Sequence, residues 1–173
     1  LITQPELHDP VRYSRLKELP TDDARAAVIE DCLTRAKVRF AVQKTARLVQ
    51  NFSRIEQEGG PVEVKRKLNS LPGSAAKIKY LCSFQGIGPK YSRNLMMDVY
   101  HEDFRDSIAV DSRLKKVLEA LGLPFDDRDY NRSEEFFLLA AREAGLNGWE
   151  MDRLLFSYLD QVLEALKAAA LPI

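Results

Sequence analysis

FQGIGPKYSRNL, residues 84–95, is the stretch on which the reading of this chain turns. Gly86 and Gly88 bracket Ile87, and Pro89 and Lys90 follow at once. Proline suits the first turn of a helix, where its missing N–H has no intrahelical partner to lose. The pattern therefore predicts a tight turn feeding a helix that runs to about Val99. Upstream, Leu71-Pro72-Gly73 marks another turn, and Ser74 is the expected N-cap of a helix through Cys82. The unit is thus helix, glycine turn, helix over residues 74–100. A generic αα-hairpin has the same outline. Here Ile87 is expected to point inward, and small Ser92 to let two helices come close. Backbone N–H groups gathered at such a turn, before a helix N-terminus, make an anion site.

The rest of the chain carries helical signals, without sustained strand alternation or internal repeats. Thr21 caps a helix whose face is Ala26, Ile29 and Leu33. Val38, Phe40 and Val42 then fall two apart before Leu48, Val49 and Phe52 resume the helical spacing. Two helices with a break near Thr34–Lys37 fit this, and one continuous helix is the alternative, because Ala36 and Phe40 stay in phase. Gly59-Gly60-Pro61 closes the block, and a short helix follows over 62–69. HEDFRDSIAV, residues 101–110, is a connector. Asp111 caps a helix that stops at Gly122, a loop covers 123–131, Ser133 caps the next helix, and a last helix runs from Gly148 to Ala169. The expectation is an all-α chain of about eight helices, a compact bundle forming one domain over 1–173.

Composition narrows the function. Of 173 residues 45% are hydrophobic, enough for one core or two small lobes. No apolar run approaches the length of a membrane span, and the first twenty residues lack the apolar centre of a signal peptide. An intracellular location is expected, without membrane partners. Cys32 and Cys82 are the only cysteines, which excludes a four-cysteine zinc site or a cysteine-ligated iron–sulfur cluster within the chain. His8 and His101 have no metal-ligand spacing, so no metal site is assigned. Formal net charge is zero but uneven. Residues 61–116 hold eleven Lys/Arg against six Asp/Glu, and residues 117–173 hold five against eleven. The basic third contains the glycine turn, as a nucleic-acid surface would require, although a solvated face looks the same.

Two further segments complete a resemblance. FQGIGPKYSRNL resembles the helix-hairpin-helix motif of the DNA glycosylase superfamily that includes endonuclease III and the 8-oxoguanine glycosylases. IAVDSRLKKVLEALG, residues 108–122, is similar to that family's segment in which an aspartate follows an apolar run and opens a helix. Lys90 falls in the slot of the lysine that bifunctional members carry after the second hairpin glycine, and Asp111 in the aspartate slot. FAVQKTARLV, residues 40–49, is more faintly similar to an early helix of endonuclease III. The interval from Lys90 to Asp111 is a few residues longer than in endonuclease III, so the connector must loop out for the two side chains to converge. The family's cluster cysteines are absent, as in its 8-oxoguanine branches.

The resemblance implies two lobes with the active site in the cleft between them, and a base-excision-repair glycosylase with AP-lyase activity, acting as a monomer on double-stranded DNA that carries a damaged base. It implies Gly86, Ile87, Gly88, Lys90 and Ser92 as phosphate contacts, and Lys90 and Asp111 as the catalytic pair. Lys90 would attack the anomeric carbon of a flipped nucleotide and form a Schiff base, while Asp111 would stabilise the developing oxocarbenium charge and help the lysine lose its proton. Phe136, Trp149, Phe156 and Tyr158 are candidates for the base pocket, though aromatics at helical spacing commonly build a core. Arg35 or Lys37, at the break between helices, is the candidate wedge, with an ordinary solvated charge as the competing reading. No cofactor is required; a monovalent cation at the hairpin is compatible, and an iron–sulfur cluster is not. Two other readings stay open: a non-enzymatic helix-hairpin-helix DNA-binding module, and a helical interaction domain whose glycine turn is only a turn.

Overall fold

A computed structural model describes residues 5–124 and 130–169. Ten α-helices and two short 3₁₀ turns account for the regular structure among these residues, and no strand occurs. The chain divides into two compact units, residues 1–72 with 79–87, and residues 73–78 with 88–173.

The first unit holds α1 (Tyr13–Glu18), α2 (Asp22–Arg35), α3 (Ala41–Gln57) and α4 (Pro61–Ser70). Leu16, Ile29, Leu33 and Phe52 form its buried centre. The break between α2 and α3 is real, and the continuous-helix alternative falls. The Lys37 N–H donates to the Thr34 carbonyl (2.9 Å) and the Val38 N–H to the Leu33 carbonyl (2.9 Å). Lys37 itself takes φ +52°. These bonds form a Schellman end, completed by Val38 packing with Leu33 in the core. Phe40, also left-handed at φ +60°, restarts the chain as N-cap of α3. An apolar cavity of about 350 Å³ lies among α1, α2 and α3, lined by Tyr13, Leu16, Ile29, Cys32, Leu33 and Phe52 among others.

α5 (Gly73–Cys82) belongs by its first six residues to the second unit and by the remainder to the first. Ser74 is not its N-cap. The N-cap lies two residues earlier, at Pro72, which makes no side-chain capping bond. The second unit continues with α6 (Pro89–Asp98), α7 (Ser112–Ala120), α8 (Tyr130–Glu143), α9 (Gly148–Ser157) and α10 (Leu159–Ala169). Ile108, Val110, Leu114, Leu118, Phe137 and Leu155 lie at its centre. Two boundaries differ from expectation. α8 already includes Tyr130, so Ser133 sits buried within the helix rather than capping it; residues 125–129 of the expected loop lie outside the described residues. The expected last helix is two, because Tyr158 (φ −128°, ψ 27°) interrupts the backbone between α9 and α10. None of the described helices is long and apolar enough to cross a membrane.

Candidate active site

Both residues of the expected pair sit at helix starts in the second unit. Gly88 is the N-cap of α6 in extended backbone, Pro89 is its first residue, and Lys90 follows. Asp111 is the N-cap of α7, its Oδ1 accepting from the N–H groups of Arg113 (2.8 Å) and Leu114 (3.4 Å). The Lys90 Nζ lies 3.8 Å from Asp111 Oδ2. The longer connector thus loops out far enough for the two side chains to meet. Their settings differ: Asp111 is 9% exposed, whereas 46% of the Lys90 side chain is accessible.

Arg113 is the strongest partner of Asp111. Its Nε and Nη2 stand 2.8 and 2.5 Å from Oδ2, the oxygen that also faces Lys90. Burial alone would raise the Asp111 carboxyl, but the Arg113 side chain and N–H, with Lys90 behind them, outweigh it and hold the group below its ordinary value. Asp111 is therefore an anion at neutral pH and a poor proton acceptor. That suits stabilisation of a positive charge better than deprotonation of lysine.

The connector ahead of Asp111 is a built part of the site. Ser107, Ile108, Ala109 and Val110 are all buried. Three side chains take their amides, which have no helix or sheet to bond within. The Ile108 N–H donates to Glu134 Oε1 (3.2 Å), the Ala109 N–H to Asp152 Oδ1 (3.3 Å), and the Val110 N–H to the Tyr130 hydroxyl (2.9 Å). The Tyr130 hydroxyl in turn donates to the Ile108 carbonyl (3.0 Å), and burial pushes its proton affinity up to about 12. Asp152, 3% exposed, is raised from its ordinary value by burial. The connector also runs against the start of α9. There the Trp149 N–H donates to the Arg105 carbonyl (2.8 Å), and a Cβ on Gly148 would fall 2.8 Å from the Ser107 nitrogen. No residue larger than glycine fits at that approach without moving the connector. Sequence spacing did not single out Glu134, Asp152, Tyr130 or Gly148. The one local signal was NGWE, which forms a capping box between Asn147 and Glu150.

The other expected site residues scatter. Gly86 is exposed at φ +80°, a conformation that costs any residue with a Cβ. The Ile87 N–H is already given to the Phe84 carbonyl (3.2 Å). Ser92 contradicts the phosphate assignment: it is fully buried, its hydroxyl donates to the Pro89 carbonyl (2.9 Å), and its N–H donates to Gly88 (2.9 Å). The N–H of Lys90, in the first turn of α6, lies where no intrahelical acceptor exists. Of the aromatic candidates, Phe136 packs on the core beside Phe137. Trp149 is structural as well, its indole N–H donating to the Met97 carbonyl (3.0 Å) and its ring meeting Tyr100 edge-on. Phe156 is 60% exposed and lies under the Arg113 guanidinium at 4.2 Å, which brings this one aromatic to the carboxylate's neighbourhood. Tyr158 is exposed at the junction of α9 and α10. Arg35 ends α2 and pairs with Asp31 (3.4 Å), and Lys37 is exposed in the Schellman turn, both in the first unit.

Known proteins supply no match. No family model, curated protein or solved structure is significantly similar to the chain. The geometry around Lys90 and Asp111 therefore carries the functional reading together with the motif.

Proposed function

We propose that the chain is a helix-hairpin-helix DNA glycosylase with AP-lyase activity. The observation that carries this reading is the 3.8 Å approach of Lys90 Nζ to Asp111 Oδ2, between two side chains twenty-one positions apart that the motif had paired. A lysine nucleophile and an aspartate anion at one point are what Schiff-base cleavage of a glycosidic bond requires. The neutral amine attacks the anomeric carbon, and the base departs with the bonding electron pair and takes up a proton that the amine nitrogen loses. The C1′–O4′ bond then opens, with O4′ taking the second proton to leave the Schiff base, and the carboxylate faces the positive charge that builds on the sugar. Arg113 holds the carboxylate ionised, and the exposed Phe156 ring beneath Arg113 offers an apolar face beside it on which an extruded base could stack. Gly88 and the first turn of α6 serve phosphate contact, without base identity.

A non-enzymatic DNA-binding module is the second reading. It is favoured by the half-exposed Lys90 side chain and by the occupation of Asp111 by Arg113. One experiment separates the two. Protein is mixed with duplex DNA containing an abasic site, borohydride is added, and covalent adduct is resolved on a denaturing gel. The glycosylase–lyase reading expects an adduct that Lys90→Gln abolishes. Adduct of equal yield from Lys90→Gln removes the lysine assignment. DNA binding without adduct, across abasic and oxidised-base duplexes, gives the module reading.

A further inference from the structure

The proposed reaction needs two side chains from separate elements to stay within reach of one carbon atom. Lys90 rides on α6, and Asp111 follows residues 107–110, the end of the connector, which have no regular secondary structure of their own. Arg93 and Glu134 join these two elements directly. Arg93 is three positions after Lys90 on α6, and Glu134 lies on α8; each is 8% exposed. Arg93 Nε donates to Glu134 Oε1 (3.0 Å) and Nη2 to Oε2 (2.7 Å), a two-point contact that sets both spacing and plane. The third guanidinium nitrogen, Nη1, donates to the carbonyl of Pro89, the residue before Lys90 (3.2 Å). On the other side, Glu134 Oε1 also accepts from the Ile108 N–H (3.2 Å), three positions ahead of Asp111. The guanidinium lies 4.5 Å from the ring of Tyr130, whose hydroxyl grips Ile108 and Val110. One carboxylate therefore ties α6 to the connector, at points equally far along the chain from the two functional side chains.

We propose that the buried Arg93–Glu134 pair is the positioning device that sets the distance between Lys90 and Asp111. The inference rests on the glycosylase–lyase reading above. A buried ion pair adds little stability over apolar residues of the same size, because desolvation offsets the attraction. What it adds is directional constraint, which a Leu–Met contact lacks. Neither residue needs to touch substrate; they act through the backbone of α6 and of residues 108–111.

Arg93→Met combined with Glu134→Leu tests this, since it removes both charges together and fills the space. Three quantities are measured: the melting temperature, the affinity for an abasic-site duplex by fluorescence anisotropy, and the maximal rate of borohydride trapping at saturating DNA. The double variant is expected to melt below the parent, because the buried Ile108 N–H loses its acceptor, but to stay folded at the assay temperature and to bind DNA within about threefold. Its maximal trapping rate is expected to fall at least about tenfold, because displacements near 1 Å at a reacting centre cost on the order of 100-fold. A folded double variant that traps at the parental rate overturns the proposal. Should the double variant fail to fold, Glu134→Gln and Glu134→Ala decide the matter. Gln keeps an acceptor for the Ile108 N–H and is expected to trap faster than Ala; equal rates at equal folded fraction overturn the proposal. A parent protein that traps no abasic DNA removes the glycosylase–lyase reading and the positioning role with it. A trapping parent with an equally active double variant removes the positioning role alone.

Discussion

Replacing Asp111 by Asn separates the carboxylate's charge from its structural work. Asn caps a helix about as well as Asp, so the bonds from the Arg113 and Leu114 N–H groups persist and α7 keeps its start. What disappears is a negative charge 3.8 Å from the Lys90 Nζ. A unit charge pair at that separation is worth about 4 kcal/mol at an effective dielectric of about 20. The sugar at the transition state carries only part of a positive charge, and Arg113 already draws on the same oxygen. Roughly half of that interaction should survive, about 2 kcal/mol, which corresponds to a ~30-fold slower chemical step. Lysine addition to an abasic site that has already lost its base builds no such charge, so it should slow much less. The assay is single-turnover base release from an oxidised-base duplex, run beside borohydride trapping on an abasic duplex, with affinity measured by anisotropy. Base release within about threefold of the parent refutes the electrostatic role, and so does a rate loss explained wholly by weaker binding.

Further expectations concern the supports of the site. Asp152→Asn should raise the melting temperature at neutral pH: burial raises the folded-state value of Asp152, so its charged form costs stability once pH exceeds that value, and Asn keeps an acceptor for the Ala109 N–H. An unchanged or lower melting temperature at pH 7 refutes this. Gly148→Ala should destabilise the second unit and slow base release together, because its Cβ would meet Leu138 at 2.6 Å and the Ser107 backbone at 2.8 Å; scanning calorimetry and the release assay check it. In the first unit, Glu58 is held down to about 2 by the Tyr80 hydroxyl and then by Lys67, with Arg54 adding to them. Its stabilisation is complete above the free value of 4.5 and is lost as pH falls through about 2, so Glu58→Gln should flatten the acid side of the stability curve between those limits. Cys32, 2% exposed and raised by burial and then by Asp31, should react with a thiol reagent only on unfolding, which a time course in native buffer and in denaturant will show.

Most of the helices were legible because their signals are local. Thr21, Pro89 and Asp111 start helices or sit at their first position through short-range stereochemistry and side-chain bonds, as the sequence implied. Gly122 takes the left-handed φ of a helix end, as its sequence position implied. Ends made by other residues were harder to read. Lys37 and Tyr100 adopt the same left-handed backbone at φ +52° and +49° without being glycine. Each is held there by bonds back into its helix and by packing around the following residue, which no pattern of single residues announces. The split at Tyr158 was hidden because large apolar residues continue from α9 through Tyr158 into α10, while the interruption lies in the Tyr158 backbone (φ −128°, ψ 27°).

Sequence alone determined the helical class, the glycine turn before α6, and the pairing of Lys90 with Asp111 as an expectation, because caps, prolines and motif spacing act over a few residues. Tertiary structure decided the rest of the site. It buried Ser92, drew Phe136 and Trp149 into packing roles, and set Arg113 on the carboxylate. It also assigned Glu134, Asp152 and Tyr130 to the amides of residues 108–110. Those amides belong to a buried segment that lies in no helix or sheet, and their acceptors come from side chains of α8 and α9, twenty or more positions further along the chain. Which side chains would reach them depends on how α8 and α9 fold back over the connector, and short-range spacing holds no record of that.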